Sequence, residues 1–318
     1  MGTSEQNRTL GIDIGGTKTA AALVDLHGNV TNYQYTATPA LDGPDAVLAA
    51  AISLGQRVLA TTSNTTALPI AVGIGTAGQV DCDHGIITCA TDALPDWQGT
   101  TIRQAMQNAF DLPAVVDNDV NTMAFGEMHH GAGRAFHDVL YVSVGTGIGG
   151  ALVYNKQVQH GATWTAGELG NLVIRYDIAH QANDARAGCL EAFTSGPAMV
   201  QHYARLAQVQ EPPDLQAVVA HAYAGDDHAR QTITEGGYTL GMVIGSLLCV
   251  LNPEALIVGG GVSEIGPLWW QPFEQALRAN PLPGPARVPV QPAQLGRYAV
   301  VAGAGCMAFH HIHQLPTA

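Results

Sequence analysis

The residues here best suited to chemistry are carboxylates set beside glycine turns. The stretch Gly11-Ile12-Asp13-Ile14-Gly15-Gly16-Thr17-Lys18 puts an acid near the end of an alternating apolar segment, just before two glycines. A carboxylate between two isoleucines is costly to bury without a partner. Beside such a turn Asp13 can sit next to a bound magnesium ion. The turn's free N–H groups and the Thr17 hydroxyl can approach phosphate oxygens, because glycine puts no side chain in the way. A plain hairpin with a Gly-Gly turn is the competing reading, and the placement of Asp13 weighs against it.

A second set of polar groups, Asp117-Asn118-Asp119, lies where a short apolar run meets a helical one. All three are good helix caps, and Asp117 is read as the cap. One cap needs only one such residue, so Asn118 and Asp119 are expected to face a cleft. A carboxylate there can accept a hydroxyl proton during phosphoryl transfer. Gly145, Gly147 and Gly150 satisfy GxGxxG, and Glu168 follows at the distance of a ribose-binding acid. That motif must open a helix to bind a dinucleotide. Residues 151–156 instead read as a strand running into a turn, so a dehydrogenase is set aside. Two further acids are Glu168, within a small-residue loop at 161–171, and Glu191, at a helix start where it would favour the helix dipole.

These groups need elements to hold them. Alternating or buried apolar runs predict strands at 9–14, 19–24, 30–35, 70–74, 114–116, 139–144 and 255–258. Helical spacing covers 44–59, 103–110, 120–128 and a stretch containing 240–251. The tail resumes at 299–301 and leads through small residues into a helix ending near His313. Strands and helices alternate, which predicts an α/β fold. A strand, turn, strand opening occurs near 10–24 and again near 139–153, so two half-molecules of similar fold with a cleft between them are expected.

The bulk numbers narrow the function classes. The chain has 318 residues, 47% hydrophobic and 12% charged, which suits two packed domains. Its 37 glycines cluster, as expected of special turns or close ligand approach. A net charge of -13 argues against a nucleic-acid or anionic-membrane surface. Five scattered cysteines without a CxxC pair fit a reducing compartment. The N-terminus lacks an apolar signal core, Gln6 breaks the myristoylation spacing, and no apolar run reaches the ~20 residues of a bilayer span. A cytoplasmic protein with no membrane partner is expected.

Taken in order, the segments resemble the ROK family of bacterial repressors and sugar kinases, within the larger sugar kinase, heat-shock and actin ATPase fold. The resemblance runs through GIDIGGTKTAAALVD, the loop at 73–81, DNDVNTMAFGE, VSVGTGIGGALV, AGELGN, GCLEAFTSG, NPEALIVGGGVS and AGAGCMAF. It implies two actin-like (ribonuclease H-like) α/β domains: 1–118 completed by a C-terminal helix at 302–318, and 119–301. It implies ATP with Mg2+ as cofactors and a hexose or N-acylhexosamine as acceptor at its 6-hydroxyl, glucose or N-acetylmannosamine foremost. Asp119 matches the catalytic base. Asn118, Glu168, Asn171, Glu191 and Gly78 match the sugar site. Gly15, Gly16, Thr17, Lys18, Gly145, Thr146 and Gly147 match the two phosphate loops, with Asp13 near the nucleotide's magnesium. Gly259, Gly260 and Gly261 would lie under the adenosine, and homodimers are common in the family.

The departures lie on the sugar side. Members carry a histidine where this chain has Asn171, and that histidine joins cysteines of a CxCGxxGCxE run to bind zinc. Residues 182–191 retain only Cys189 of those cysteines, so no structural zinc is expected. His180 and the cluster of His310, His311 and His313 are read as surface and tail. Ala77 replaces a usual proline, and Ala93 falls near a usual sugar-contacting asparagine. The family's repressors carry a helix-turn-helix ahead of the kinase-like part; here the kinase motif begins at about residue 10, so no DNA partner is expected. A catalytically silent sugar sensor is the alternative, and retention of Asp119 weighs against it.

Overall fold

The computed structural model describes residues 7–61 and 68–314. Residues 1–6, which begin the segment read for targeting signals, lie outside them. The chain opens with strands β1 (Arg8–Ile14), β2 (Lys18–Asp25) and β3 (Val30–Ala37), then helix α1 (Pro44–Ala60). Next come β4 (Pro69–Thr76), the small strands β5 (Gln79–Asp81) and β6 (Ile86–Cys89), α2 (Ile102–Phe110), β7 (Ala114–Asn118) and α3 (Asp119–His130). Strands β8 (Val139–Val144), β9 (Ile148–Tyr154) and β10 (Gln157–Gln159) follow. A helical region holds α4 (Tyr176–Ala182), α5 (Glu191–Thr194), α6 (Gly196–Ala207), α7 (Leu215–Ala224) and α8 (Asp227–Leu251). The chain ends with β11 (Ala255–Gly259), α9 (Pro267–Arg278), β12 (Val290–Pro292) and α10 (Ala299–Gln314).

The residues fall into two compact units. One comprises 1–135, 156–166 and 294–318; the other comprises 136–155 and 167–293. The first is built on a sheet in the order β3-β2-β1-β4-β7, with β1 to β3 antiparallel and β4 and β7 parallel to β1. In the second, β9 and β8 form an antiparallel pair, and β11 and β12 add in parallel beyond β8. The repeated strand, turn, strand opening is therefore the antiparallel half of each sheet. This is the α/β class that the alternation of elements predicts.

In the first unit Leu10, Ile12, Ile14, Val72 and Ile74 of the central strands pack with Val47, Leu54 and Val58 of α1. The opposite side of β1 and β4 is closed by α10, and glycine makes that approach possible. A Cβ on Gly73 would stand 1.8 Å from the Ala304 carbonyl oxygen, and one on Gly11 2.1 Å from that of Val301. Both contacts are far inside van der Waals limits, so these strand glycines serve helix packing rather than a ligand. The ordered tail is a single helix from Ala299 onward, so 299–301 is its first turn. Small residues there lie against the sheet.

The units divide the chain differently from the expected split at 118/119 and 301/302. Helix α3 belongs to the first unit because it crosses α10 at backbone contact. A Cβ on Gly303 would lie 1.9 Å from the Thr122 carbonyl oxygen. The segment before α10 is held there too. The fully buried Glu127 of α3 accepts hydrogen bonds from the backbone of Gln294 and Leu295, each 2.8 Å, through one oxygen. Its other oxygen accepts from Ala132 N at 2.8 Å, so the buried carboxyl oxygens are met by three N–H donors.

In the second unit Val142, Val144, Leu256 and Val258 of the sheet pack under Leu240, Ile244 and Leu248 of α8 and Trp269 and Phe273 of α9. Against the expectation that no run reaches bilayer length, α8 has 25 residues and is apolar enough to cross a membrane by composition. Ten of its residues are buried within the unit, and Gly237 and Gly241 bring its backbone against Trp269 and Phe273. It is a core helix of this unit. The interval containing α4 to α7 was not divided in sequence, although Ser195, Asp214 and Asp226 accept hydrogen bonds at the starts of α6, α7 and α8.

Candidate functional site

Parallel strands β1, β4 and β7 end on the same edge of the first sheet, and the expected acids stand there. Asp13 is level with Gly75, which is level with Asp117, and Asp119 begins α3 two residues later. The carboxyl ends of parallel strands are where α/β sheets bind ligands. Burial, reinforced by the negative charge of Asp119 and opposed by Lys18, pushes the Asp13 carboxyl up to about 7. A carboxylate raises a neighbour's proton affinity only from close by, so Asp119 lies within electrostatic reach of Asp13.

The β1–β2 turn is tightly specified. Gly15 N donates to the Lys18 carbonyl at 3.1 Å, so the first glycine amide closes the turn itself. Thr38 clamps the turn from β3's end, its hydroxyl donating to Gly15 O at 2.7 Å and its N–H to Thr17 O at 3.0 Å. A Cβ on Gly16 would lie 2.4 Å from the Ala93 carbonyl oxygen, so the second glycine accommodates the loop below β6. Thr17 and Lys18 are exposed, and the Lys18 ammonium rests 5.8 Å from the centre of the Tyr35 ring.

The reading of Asp117 as the cap is corrected by one residue. Asn118 caps α3, its Oδ1 accepting from Val120 N at 2.8 Å and Asn121 N at 3.3 Å. Its Nδ2 donates to the Gly78 carbonyl at 3.0 Å, which joins two of the expected sugar-site residues. Gly78 itself turns with a φ of 97°, a conformation natural to glycine. Asp117 is the buried member. It accepts from Asn118 N, from Asn121 Nδ2 at 3.0 Å, and pairs with His160 Nε2 at 2.7 Å. Burial opposes a charge on His160, but the hydrogen bond to Asp117 and its carboxylate charge outweigh it, and the imidazole is held above its ordinary range. The Asp117–His160 pair was missed in sequence because the partners are 43 residues apart.

The second unit has its own glycine turn at the end of β8. Gly145 N donates to the Gly147 carbonyl at 2.9 Å, and Gly145 O accepts from Gly196 N at 2.8 Å, seating α6's first residue on the turn. Glu191 is held beside it, one carboxylate oxygen accepting from Ile148 N at 2.9 Å. A Cβ on Gly147 would lie 2.6 Å from that oxygen, and one on Gly170 3.2 Å from it. Gly145 and the Gly259-Gly260-Gly261 run sit at adjacent parallel strand ends, since Gly259 is level with Ser143. Gly260 turns with a φ of 87° over Val144, whose carbonyl oxygen a Cβ would meet at 2.3 Å.

Thr146, Asn171 and Glu191 line one cavity of about 360 Å³, together with Arg186, Cys189, Ser195 and Arg205. Asn171 also donates to Glu168 Oε2 at 3.1 Å, so the substituted residue is wired to an expected sugar-site acid. Arg186 and Arg205 were not singled out in sequence. Arg186 lies in the stretch compared for zinc ligands, and nothing local marks Arg205. That stretch does not fit the family's zinc set, because Cys189 is its one thiol and Asn171 has no imidazole. All five cysteines are free thiols.

The profile of the ROK family matches residues 9–310. The chain belongs to the ROK family. It is 31% identical over 314 residues to a glucokinase of Halalkalibacterium halodurans, with 93% of each chain covered. Among solved structures, a ROK hexokinase from Thermus thermophilus superposes with a TM-score of 0.82 at 29% identity, covering 97% of this chain and 100% of that one. A ROK family glucokinase from Streptomyces griseus, solved with glucose and AMPPNP, gives 0.81 at 29% identity, covering 96% and 100%. The glycine turns and acids described above lie within the residues that match the family.

Proposed function

We propose that this ROK-family chain is an ATP-dependent sugar kinase that phosphorylates the 6-hydroxyl of a hexose or N-acylhexosamine, with glucose and N-acetylmannosamine the first acceptors to test. The observation that carries this reading is the meeting of Asp13 and Asp119 at the carboxyl edge of the first sheet, where Asp119 raises the Asp13 proton affinity. Relatives named as glucokinases, one crystallised with glucose and an ATP analogue, support it.

In this reading Asp119 accepts the proton of the sugar hydroxyl. The hydroxyl oxygen bonds to the γ-phosphorus, and the bond from that phosphorus to the bridging oxygen breaks to leave ADP. Asp13 would hold the nucleotide's Mg2+, and the residues fit such a cation because it would relieve the repulsion that Asp119 exerts on a charged Asp13. When bound, that ion neutralises phosphate charge. The turn at Gly15–Lys18 and the turn at Gly145–Gly147 offer backbone N–H groups to phosphates, with Gly259–Gly261 beneath the adenosine. Asn118 and Gly78, held together, would position the sugar along with Glu168, Asn171 and Glu191. A cytoplasmic setting accords with the free cysteines.

The test is a panel of hexoses and N-acetylhexosamines with ATP and Mg2+, read by ADP release. Phosphorylation of at least one sugar, lost in Asp119→Asn, is the expected result. Silence with every sugar, or full activity in Asp119→Asn, overturns it.

A further inference from the structure

Helices α3 and α10 bring three metal-ligating side chains together on the side of the first unit away from the carboxylates. His129 comes from the last turn of α3, and Cys306 and His310 come from α10. The latter two are four residues apart, which places them on one helix face. One donor atom from each lies within 4.8 Å of the other two. The imidazoles of His129 and His310 are 4.5 Å apart between ring centres, and Phe125 packs against both. Cys306 is buried, whereas His310 is exposed. The His129 Nε2 atom is buried and has no hydrogen-bond partner among the described residues. A buried imidazole nitrogen without a partner is costly, and a metal ion would satisfy it.

We propose that His129, Cys306 and His310 form a zinc site, with solvent supplying the fourth ligand at the exposed His310 side. Two imidazoles and a thiol make a borderline-to-soft donor set that suits Zn2+ and excludes Mg2+ and Ca2+. With Zn–N of about 2.0 Å and Zn–S of about 2.3 Å, tetrahedral donors stand about 3.3–3.6 Å apart, so the cluster closes by roughly 1 Å on binding. The site is separate from the acids: His129 is ten residues after Asp119, about 15 Å along the helix. Binding exchanges the Cys306 S–H proton for a Zn–S bond and releases that proton to solvent. The ion fastens the C-terminal turn of α3 to α10.

The experiment uses the full chain stripped with a chelator, then titrated with zinc chloride against a chromophoric chelator and separately with cobalt(II). One zinc per chain is expected, with a thiolate-to-cobalt charge-transfer band in the near ultraviolet and a zinc-dependent rise in Tm. Cys306→Ser should abolish the band, and His310→Gln, an exposed change that leaves the fold intact by circular dichroism, should weaken zinc at least about tenfold. Cys82→Ser, which alters the second such cluster of Cys82, Asp117 and His160, should retain binding. Failure to bind stoichiometric zinc, undiminished affinity in His310→Gln, a cobalt spectrum without the thiolate band, or loss of binding in Cys82→Ser each overturns the proposal.

Discussion

The two glycine turns, one closing β1 onto β2 and the other β8 onto β9, are built from the same local device and treat their nearest acid in opposite ways. At the first, the charge of Asp119 adds to the burial of Asp13, which is driven to hold a proton near neutrality. At the second, the exposed Glu191 is tied to the backbone N–H of Ile148, and Gly147 and Gly170 leave room for its carboxylate. The first arrangement stores electrostatic tension that a proton or cation relieves. The second spends its carboxylate on fixing a loop. A motif search alone sees a glycine turn with an acid nearby in both places.

Four experiments break or sharpen this contrast. The largest effect is expected at the first turn's partner: Asp119→Asn should lower kcat by about 10³ with an unchanged circular dichroism spectrum, read by ADP release. At the second turn, Glu191→Ala should lose about 1 kcal/mol of stability, because one charge-assisted hydrogen bond at an exposed position disappears. Its kcat/KM should fall about tenfold, while Glu191→Gln, which retains an acceptor, should recover most of both losses; equal damage from Gln would show that charge, not loop fixing, matters.

The third experiment reads pH. An acid with a raised folded pKa favours the folded state less as pH climbs from its ordinary value of 3.8 towards about 7. Asp13→Asn should therefore raise the Tm of the ligand-free chain by about 2 °C or more at pH 8 and leave it unchanged at pH 4. A Tm difference that does not vary with pH breaks the account of Asp13 as a buried acid beside a second negative charge. The smallest effect is expected at Lys18, whose ammonium rests over Tyr35. Lys18→Ala should cost about 0.5 kcal/mol of stability and leave kcat/KM for ATP within about threefold; a larger kinetic loss would mean that Lys18 leaves Tyr35 for the phosphates.

The fold class and both turns were legible in sequence because they are local. Strand alternation, a Gly-Gly turn and an acid two residues earlier all lie within a few positions. Which of three adjacent polar residues caps α3 was not legible. That choice depends on whether the side chain points along the helix start or back into the sheet, and neighbours in a strand point oppositely. His160, distant in sequence, decides it for Asp117. What the strand glycines Gly11 and Gly73 accommodate was not legible either, since it is α10, more than 200 residues further on. Arg186 and Arg205 carry no local signature, and only packing brings them to one cavity with Glu191.

The closure of β1 and β4 by α10 has a consequence for synthesis. Strands β1 and β4 are covered by a helix made more than 200 residues after them, while the stretch 167–293 is contiguous within its unit. One face of the first unit's central sheet therefore stays open until α10 has been made. Deleting α10 would uncover Gly11 and Gly73, the two strand positions where the backbone of that helix comes closest to the sheet.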